Sequence, residues 1–278
     1  MGHTEERAEG AGPFTTRLTW RLAEGGIAIW ESRAARKRGV LTVGPEGAQA
    51  TSQYADKEAL HRLRTLNTVA AVAFTAGGSL FALGAALAQF GSGNPLQSAT
   101  LYFAGGLFFN TGAYASLLQT INAPRRASGT GSLVSRRWRW WSYEPLRIDW
   151  VSTFVLFAGT LVFGVNLLDS FLHGLSVQQT NRLIWTPDII GCLLFLVSGH
   201  LALVEVSHGR PGLRVRSLGW WIVAVNQLGS VLFMVSALAD FTDPSTGNPL
   251  NVAVSDWGTM TGAACFSIGG VLQLFERP

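Results

Sequence analysis

Six stretches of the chain are apolar over about twenty residues each, and this length constrains the fold more than any other feature. A helix of about twenty residues crosses the ~30 Å hydrocarbon core of a bilayer. A strand exposed to lipid would leave backbone groups unsatisfied, so each stretch is predicted to be a transmembrane helix. The fold expected is therefore an all-α integral membrane protein with six transmembrane helices. The six stretches lie near residues 66–90, 98–121, 148–172, 184–206, 218–241 and 252–275.

Composition supports a membrane protein over a soluble domain or a nucleic-acid-binding protein. Hydrophobic residues make up 48% of the chain and charged residues 14%, against about 25% charged in an average soluble domain. The mean hydropathy is +0.26 and the isoelectric point is near 9.5. Nucleic acid is not an expected partner, because the basic residues follow the loops and form no single patch. Cys192 and Cys265 lie inside apolar stretches and are predicted to be free thiols, since no metal-ligand spacing surrounds them.

The basic residues predict the orientation of the chain in the membrane. Twenty of the 21 Lys and Arg residues lie before the first span, in alternate loops or at the C-terminus, and Arg182 is the exception. Loops rich in Lys and Arg remain in the cytoplasm. Both termini are therefore predicted to be cytoplasmic, in a multi-pass protein of the plasma or inner membrane. The opposite loops carry scattered aspartates, which we interpret as solvated helix caps because they come from different loops.

The six spans form three pairs with shared marks. In the first arm of each pair, Gly78, Gly159 and Gly229 each precede a phenylalanine by twelve residues. In the second arm, Gly105, Gly191 and Gly262 each precede a phenylalanine by four residues. Each pair begins on the cytoplasmic side, so the sequence predicts three parallel helical-hairpin repeats around an axis along the membrane normal.

Small residues allow close backbone packing in a bilayer. These six glycines are therefore the predicted helix-packing positions, and the Phe and Leu positions are expected to face lipid. The predicted divisions are an N-terminal segment 1–63, hairpins 64–121, 148–206 and 217–278, and a linker 122–147.

The last hairpin resembles the YrhK-like domain. The resemblance rests on Gly262-x-x-x-Phe266-x-x-Gly269-Gly270 and on the ending Phe275-Glu276-Arg277-Pro278. The other two hairpins match more loosely, and residues 1–60 lie outside the resemblance. It implies a small bacterial-type membrane module without catalytic residues.

The cytoplasmic segment 1–63 is predicted to be small and partly disordered, with disorder over residues 1–13. Alternation of Leu18 and Trp20 with charged residues favours a β-hairpin over 14–30, with an interfacial helix as the alternative. The basic run 33–38 is either a solvated face or a contact with anionic lipid headgroups. Residues 39–51 are expected to be a linker, followed by a helix capped by Ser52. This exposed segment is also the region where a protein partner is expected.

The linker 122–147 combines a flexible part, Ala123 to Gly131, with a run of alternating Arg and Trp over 136–143. Such a run can stack on nucleic acid. Immediately before a span it more commonly forms an interfacial belt, with rings at the headgroups and guanidinium groups on phosphates. We therefore expect anionic lipid headgroups, and no nucleic acid, at this segment.

Polar residues inside spans supply the candidate functional site. Asn166, His200 and Glu205 could form a polar intramembrane site for protons or ions. Alternatively they are structural, and Glu205, which aligns with Gln119 and Glu276 at the helix exits, anchors an arginine such as Arg210. No phosphate loop, nucleophile elbow or zinc-binding motif is present. The sequence predicts no catalytic, cofactor-binding or metal site. The predicted protein is therefore not an enzyme but a structural or interaction module, with a small-solute or ion transporter or channel as the alternative.

Overall fold

The structure is a computed structural model that describes residues 6–23, 25–45, 50–91, 94–127, 130–135, 137–210 and 212–276. Its N-terminal part is a five-stranded antiparallel sheet in the order in which the strands occur along the chain. The all-α prediction is therefore wrong for this part, which buries Trp20, Ala28 and Leu41 on one face. The strands are β1 (Glu6–Ala11), β2 (Phe14–Arg21), β3 (Ile27–Glu31), β4 (Val40–Gly44) and β5 (Thr51–Tyr54).

Several sequence predictions for this region need correction. β2 and β3 pair as a hairpin across the predicted range, but β1 occupies residues expected to be disordered. β4 occupies the first part of the predicted linker 39–51, where Val40 and Leu41 are buried in the fold. Residues 1–5 and 46–49, which also belong to these predictions, lie outside the described residues.

A short helix, α1 (Ser32–Arg38), interrupts the sheet between β3 and β4. It ends at Gly39, whose φ of 60° is left-handed and favours glycine. A Cβ at Gly39 would also come within 2.6 Å of the Leu60 side chain. The chain therefore turns back tightly enough to hold α1 against the ends of the long helices.

Eight helices are described, and seven of them follow the sheet. The next helix begins at Lys57, where the Asp56 carboxylate accepts from the amide of Ala59 at 2.8 Å. Asp56, and not Ser52, is therefore its N-cap, since Ser52 lies in β5. The helices are α2 (Lys57–Gln89), α3 (Pro95–Ile121), α4 (Ile148–Asp169), α5 (Val177–Thr180), α6 (Thr186–Ser207), α7 (Leu218–Ala239) and α8 (Val252–Gln273). A π-helical turn, Asn181–Trp185, joins α5 to α6.

Four helical segments of the described chain are long and apolar enough to cross a membrane: Lys57–Gln89, Ile148–Asp169, Val177–Ser207 and Leu218–Ala239. The third begins at Val177, so the helix starts before the apolar stretch predicted near 184–206. α3 and α8 have 27 and 22 residues but fall outside this set, because Gly, Ser, Thr and amide side chains lower their hydropathy.

The six long helices form a closed ring. α2 packs on α3, α3 on α4, α4 on α6, α6 on α7, α7 on α8, and α8 returns to α2. In the last contact the Thr75 hydroxyl donates to the backbone oxygen of Ser267, and the Ser79 and Ser267 hydroxyls share a hydrogen bond. One end of the ring carries the sheet and α1; we call it the sheet-side end. The other end carries the loops after α2, α4 and α7; we call it the loop-side end.

The connection between α3 and α4 is folded against the sheet. Arg125–Arg126 pairs with Leu133–Val134 as β6 and β7. Leu133 packs on the Trp20 cluster, and the Arg126 guanidinium lies 5.3 Å from the ring centre of Trp20. The described residues of the part expected to be a flexible linker therefore pack against the sheet. Residues 128–129 of this part, and residue 136 of the run of Arg and Trp, lie outside the described residues.

Candidate functional site

The basic helix α1 docks on the sheet-side end with its charges buried. Arg36 and Lys37 are each 4% exposed, so the run is neither a solvated face nor placed at lipid headgroups at these two positions. The Arg36 guanidinium donates to Glu205 at 2.9 Å, and the Ser32 hydroxyl donates to the same carboxylate at 2.6 Å. Glu205 is 1% exposed. A carboxylate this deep is stable only when it is paired and hydrogen-bonded, and both conditions are met.

A second arginine of α1 binds the end of α8. Arg33 donates two hydrogen bonds to the Glu276 carboxylate, at 2.8 and 2.6 Å. This two-pronged geometry is the strong form of an Arg–carboxylate pair. Burial alone would raise the pKa of Glu276, but the charge and hydrogen bonds of Arg33 outweigh it and lower the pKa. The pair is therefore ionised in neutral solution.

Lys37 completes this contact with a neutral partner. Its ammonium group donates to the Asn67 amide oxygen at 3.0 Å. The Asn67 nitrogen donates to the backbone oxygens of Gln273 and Glu276 at 2.9 and 3.0 Å. Burial, reinforced by the neighbouring charge of Arg36, holds the pKa of Lys37 well below its ordinary value. Asn67 therefore links α1, α2 and α8.

A third carboxylate joins the cluster from the start of α4. The Asp149 oxygens accept from Arg147 at 2.6 and 3.1 Å and lie 3.9 Å from Arg36. The cluster thus brings three of the four basic residues of α1 close to three carboxylates, on α4, α6 and the end of α8. We call it the ion cluster; it consists of Arg33, Arg36, Lys37, Asp149, Glu205 and Glu276.

Six phenylalanines close the middle of the ring, one from each long helix. Phe81, Phe163 and Phe233 form a triangle with ring centres 6.0 to 6.3 Å apart. Three more lie behind them, at 5.3 to 5.8 Å from the first layer: Phe109, Phe195 and Phe266. The expectation that the Phe positions face lipid is wrong for these six, which occupy the axis. We call them the phenylalanine layers.

Five of the six predicted packing glycines lie between the paired helices. A Cβ on Gly159 or Gly191 would meet the ring of Phe195 or Phe163 within 3 Å. Gly229 and Gly262 have the same relation to Phe266 and Phe233, and Gly105 to Phe81. Gly78 differs, because its Cβ would meet the backbone of α8. Gly77 instead takes the position against Phe109, so the spacing read from Gly78 was one residue out of register.

Polar cavities lie on both sides of the phenylalanine layers. The cavity of about 100 Å³ on the sheet side reaches from the ion cluster to Phe195 and Phe266, and Ser116, Ser198 and Asn226 line it. The cavity of about 190 Å³ on the loop side is lined by Asp188, Asp240 and Asp256. Since three aspartates from three elements share one cavity, their interpretation as separate solvated caps is wrong.

The three residues of the predicted polar site lie apart. Asn166 belongs to the loop-side cavity and donates to Asp188 at 3.2 Å. Glu205 belongs to the ion cluster at the opposite end, while His200 is exposed on the outer face of α6. Arg210, the arginine expected near Glu205, instead lies 3.6 Å from Glu9 of β1. Gln119 is buried and donates to the backbone oxygen of Leu63 at 3.0 Å.

Sequence reasoning missed both α1 as the partner of the carboxylates and the first phenylalanine layer. The signal for the layer was present, because Gly77, Gly159 and Gly229 each precede a phenylalanine by four residues. Within the described residues no group of three or more His, Cys, Asp or Glu side chains could hold a metal ion. Cys192 and Cys265 are free thiols. No family model, curated protein or solved structure matches the chain.

Proposed function

We propose that the chain is a non-enzymatic structural or interaction module of the plasma or inner membrane, which holds the N-terminal sheet at the cytoplasmic face. It spans the membrane six times as three parallel hairpins, α2 with α3, α4 with α6, and α7 with α8. The equivalent Gly–Phe contacts of the three pairs support this repeat. The basic residues around the sheet-side end support its assignment to the cytoplasm. Kinship with the YrhK-like domain is part of the proposal; Arg277 and Pro278, which contribute to the resemblance, lie outside the described residues.

The closed axis is the observation that carries this proposal over transport. Two layers of phenylalanine rings separate the two polar cavities. A hydrated ion crossing such a dry constriction would lose its water without gaining polar partners. The ion cluster supports the other half of the proposal, since buried ion pairs fix the sheet on the bundle.

Limited trypsin digestion tests whether the sheet is held on the bundle. Arg33, Arg36 and Lys37 are trypsin sites that the docked α1 protects, so the wild-type protein in detergent is expected to resist cleavage there. The double variant Glu205→Gln/Glu276→Gln removes two carboxylates of the ion cluster and is expected to be cut at least tenfold faster at these sites, read by mass spectrometry. Glu58→Gln is the matched control, because Glu58 is exposed and pairs with Arg62 on the same helix, outside the ion cluster. Equal cleavage of all three proteins would contradict the docking role.

Gated transport is the second candidate function, and the two polar cavities along one axis favour it. Purified protein in liposomes, loaded with potassium chloride and a pH dye, distinguishes the two. If the protein is a structural module, liposomes that contain it are expected to leak protons, potassium and chloride no faster than empty liposomes. A flux in the wild-type protein that disappears in Glu205→Ala or His200→Ala would overturn the structural-module proposal in favour of transport.

A further inference from the structure

A second, wider cleft opens beside the ion cluster at the sheet-side end. Its volume is about 440 Å³, and it lies between α1, the α6–α7 loop and the first turn of α7. Arg38, Arg214 and Arg216 line it. Arg33, which also lines the cleft, pairs with Glu276, so the question is which anion the other three guanidinium groups face.

The carboxylates of this cleft are already neutralised by other cations. Glu205 pairs with Arg36 and Glu276 with Arg33. Glu31 lies 3.6 Å from both Arg17 and the imidazole of His208. Among the described residues that line the cleft, every carboxylate therefore already has a cation other than its three remaining arginines.

Those three arginines have few contacts with the protein. Arg214 donates to the backbone oxygen of Ser207 at 2.9 Å, which leaves its charge unbalanced. Throughout the described part of the chain, the exposed side chains of Arg38 and Arg216 have no hydrogen-bond or ion-pair partner. The cleft thus carries excess positive charge and free guanidinium donors, which suit a phosphate group.

The rim of the cleft is apolar on the side of the bundle. Phe275 is 68% exposed and Leu218 is 36% exposed, and both line the cleft. Next to it, Trp221 is exposed while its indole nitrogen donates to the backbone oxygen of Val215 at 3.0 Å. An exposed aromatic ring with a satisfied polar edge is typical of the membrane–water boundary. The cleft therefore combines phosphate-binding groups with a surface that suits acyl chains.

We propose that this cleft binds the headgroup phosphate of an anionic phospholipid, with its acyl chains along Leu218 and Phe275. The arginine-lined cavity of about 470 Å³ near the α3–α4 connection is not assigned this role, since Arg126 and Arg147 there already pair with carboxylates. The proposal rests on the membrane placement proposed above and adds a specific lipid to it.

Native mass spectrometry of the full-length protein in detergent tests the site, with dioleoylphosphatidylglycerol and dioleoylphosphatidylcholine as probes. The wild-type protein is expected to retain one phosphatidylglycerol at concentrations where no phosphatidylcholine is retained. Each arginine near a lipid surface is worth about a fivefold change in affinity. Arg38→Gln/Arg216→Gln is therefore expected to bind phosphatidylglycerol about 25-fold more weakly. Arg64→Gln, which neutralises an exposed arginine of α2 outside the cleft, is expected to bind like wild type.

Three results would overturn the proposal: equal retention of both lipids, wild-type retention by the double variant, or an equal loss in Arg64→Gln. Inorganic phosphate, titrated against bound phosphatidylglycerol, separates a lipid site from a site for the free anion. If phosphate displaces phosphatidylglycerol only at a concentration far above that of the lipid, the result supports a lipid site. If it displaces the lipid at an equal concentration, the lipid proposal is overturned. Phe275→Ala is expected to weaken lipid binding and to leave the affinity for inorganic phosphate itself unchanged. The trypsin and flux experiments involve neither Arg38 nor Arg216 substitution, so the lipid site and the proposed function can fail separately.

Discussion

Glu205 is the most deeply buried carboxylate of the ion cluster, and its charge is matched by Arg36. We predict that Glu205→Gln lowers the free energy of unfolding by about 3 kcal/mol, because it leaves Arg36 buried without its nearest opposite charge. Titration with sodium dodecyl sulfate in mixed micelles measures this change. The exposed pair of Glu58 with Arg62 provides the control, since Glu58→Gln should change stability by less than about 0.5 kcal/mol. If the two variants unfold alike, the ion cluster does not stabilise the fold.

Asp240 gives a prediction for pH dependence at the loop-side cavity. Burial, helped by the nearby charge of Asp256, raises the pKa of Asp240 to about 6. The folded protein holds the Asp240 proton more tightly than the unfolded chain does, so protonation of Asp240 stabilises the fold. This stabilisation is complete below the ordinary Asp pKa of about 3.9 and is lost as the pH rises through about 6.

Asp240→Asn should remove this contribution, so its thermal midpoint should exceed that of wild type at pH 7 and approach it near pH 4. Asp243→Asn is the contrasting control in the same loop. The amide and hydroxyl of Ser245 lower the pKa of Asp243, so its contribution has the opposite sign and is lost as the pH falls. Identical pH profiles for wild type and Asp240→Asn would show that Asp240 is not held protonated.

At the scale of elements, close helix contact at glycine is the feature with the clearest mutational test. A Cβ at Gly229 would lie 2.9 Å from the backbone oxygen of Gly262, and backbone cannot move aside without separating α7 from α8. We predict that Gly229→Ala destabilises the protein by about 1–3 kcal/mol. Gly164→Ala in α4 is the matched control, because the nearest atom to its Cβ is the Asn110 side-chain nitrogen at 3.6 Å. There the gain in helix propensity, up to about 1 kcal/mol, should stabilise the protein.

The same elements indicate how far a sequence carries the fold. The length of the apolar stretches locates the helices, because an apolar stretch is buried in lipid or in the bundle whichever helix lies next to it. Which side of a helix faces the bundle axis is harder to predict. Phe163 and a lipid-facing leucine are both apolar, so hydropathy does not distinguish a side chain on the axis from one in lipid. Glycine marked the contact between paired helices correctly at five of the six predicted positions, but in the Gly77–Gly78 pair the sequence did not show which glycine faces α3.

Long-range pairing is the part that sequence patterns could not supply. Arg36 and Glu205 are 169 residues apart, and neither local charge pattern identifies the other as its partner. The run 33–38 looks solvated because its neighbours in sequence are basic, whereas its neighbours in space are carboxylates. β1, β4 and β5 were missed for a related reason, since a short strand such as β4 becomes identifiable once its antiparallel partners are known.

At the scale of the whole molecule, the ring of helices places all three basic connections at one end. The sheet, the α3–α4 connection and the α6–α7 loop share the sheet-side end, and the aspartate cavity lies at the other. If six helices cross the membrane, these ends must face opposite compartments. Whether all six helices cross depends on α3 and α8, because polar residues lower the hydropathy of these two long helices.

Cysteine labelling tests this topology in cells. In a background with Cys192→Ala and Cys265→Ala, we predict that Ser245→Cys in the α7–α8 loop reacts with a membrane-impermeant maleimide in intact cells, because this exposed position follows one crossing from the cytoplasm. Ser132→Cys in the α3–α4 connection is also exposed, but should react only after the cells are permeabilised. Reaction of both positions in intact cells, or of neither, would mean that α7 does not cross or that the ends are not separated by the bilayer. The reverse pattern would retain the crossings and invert the molecule, which would place the ion cluster and the arginine cleft outside the cell and remove the electrostatic basis for cytoplasmic lipid binding.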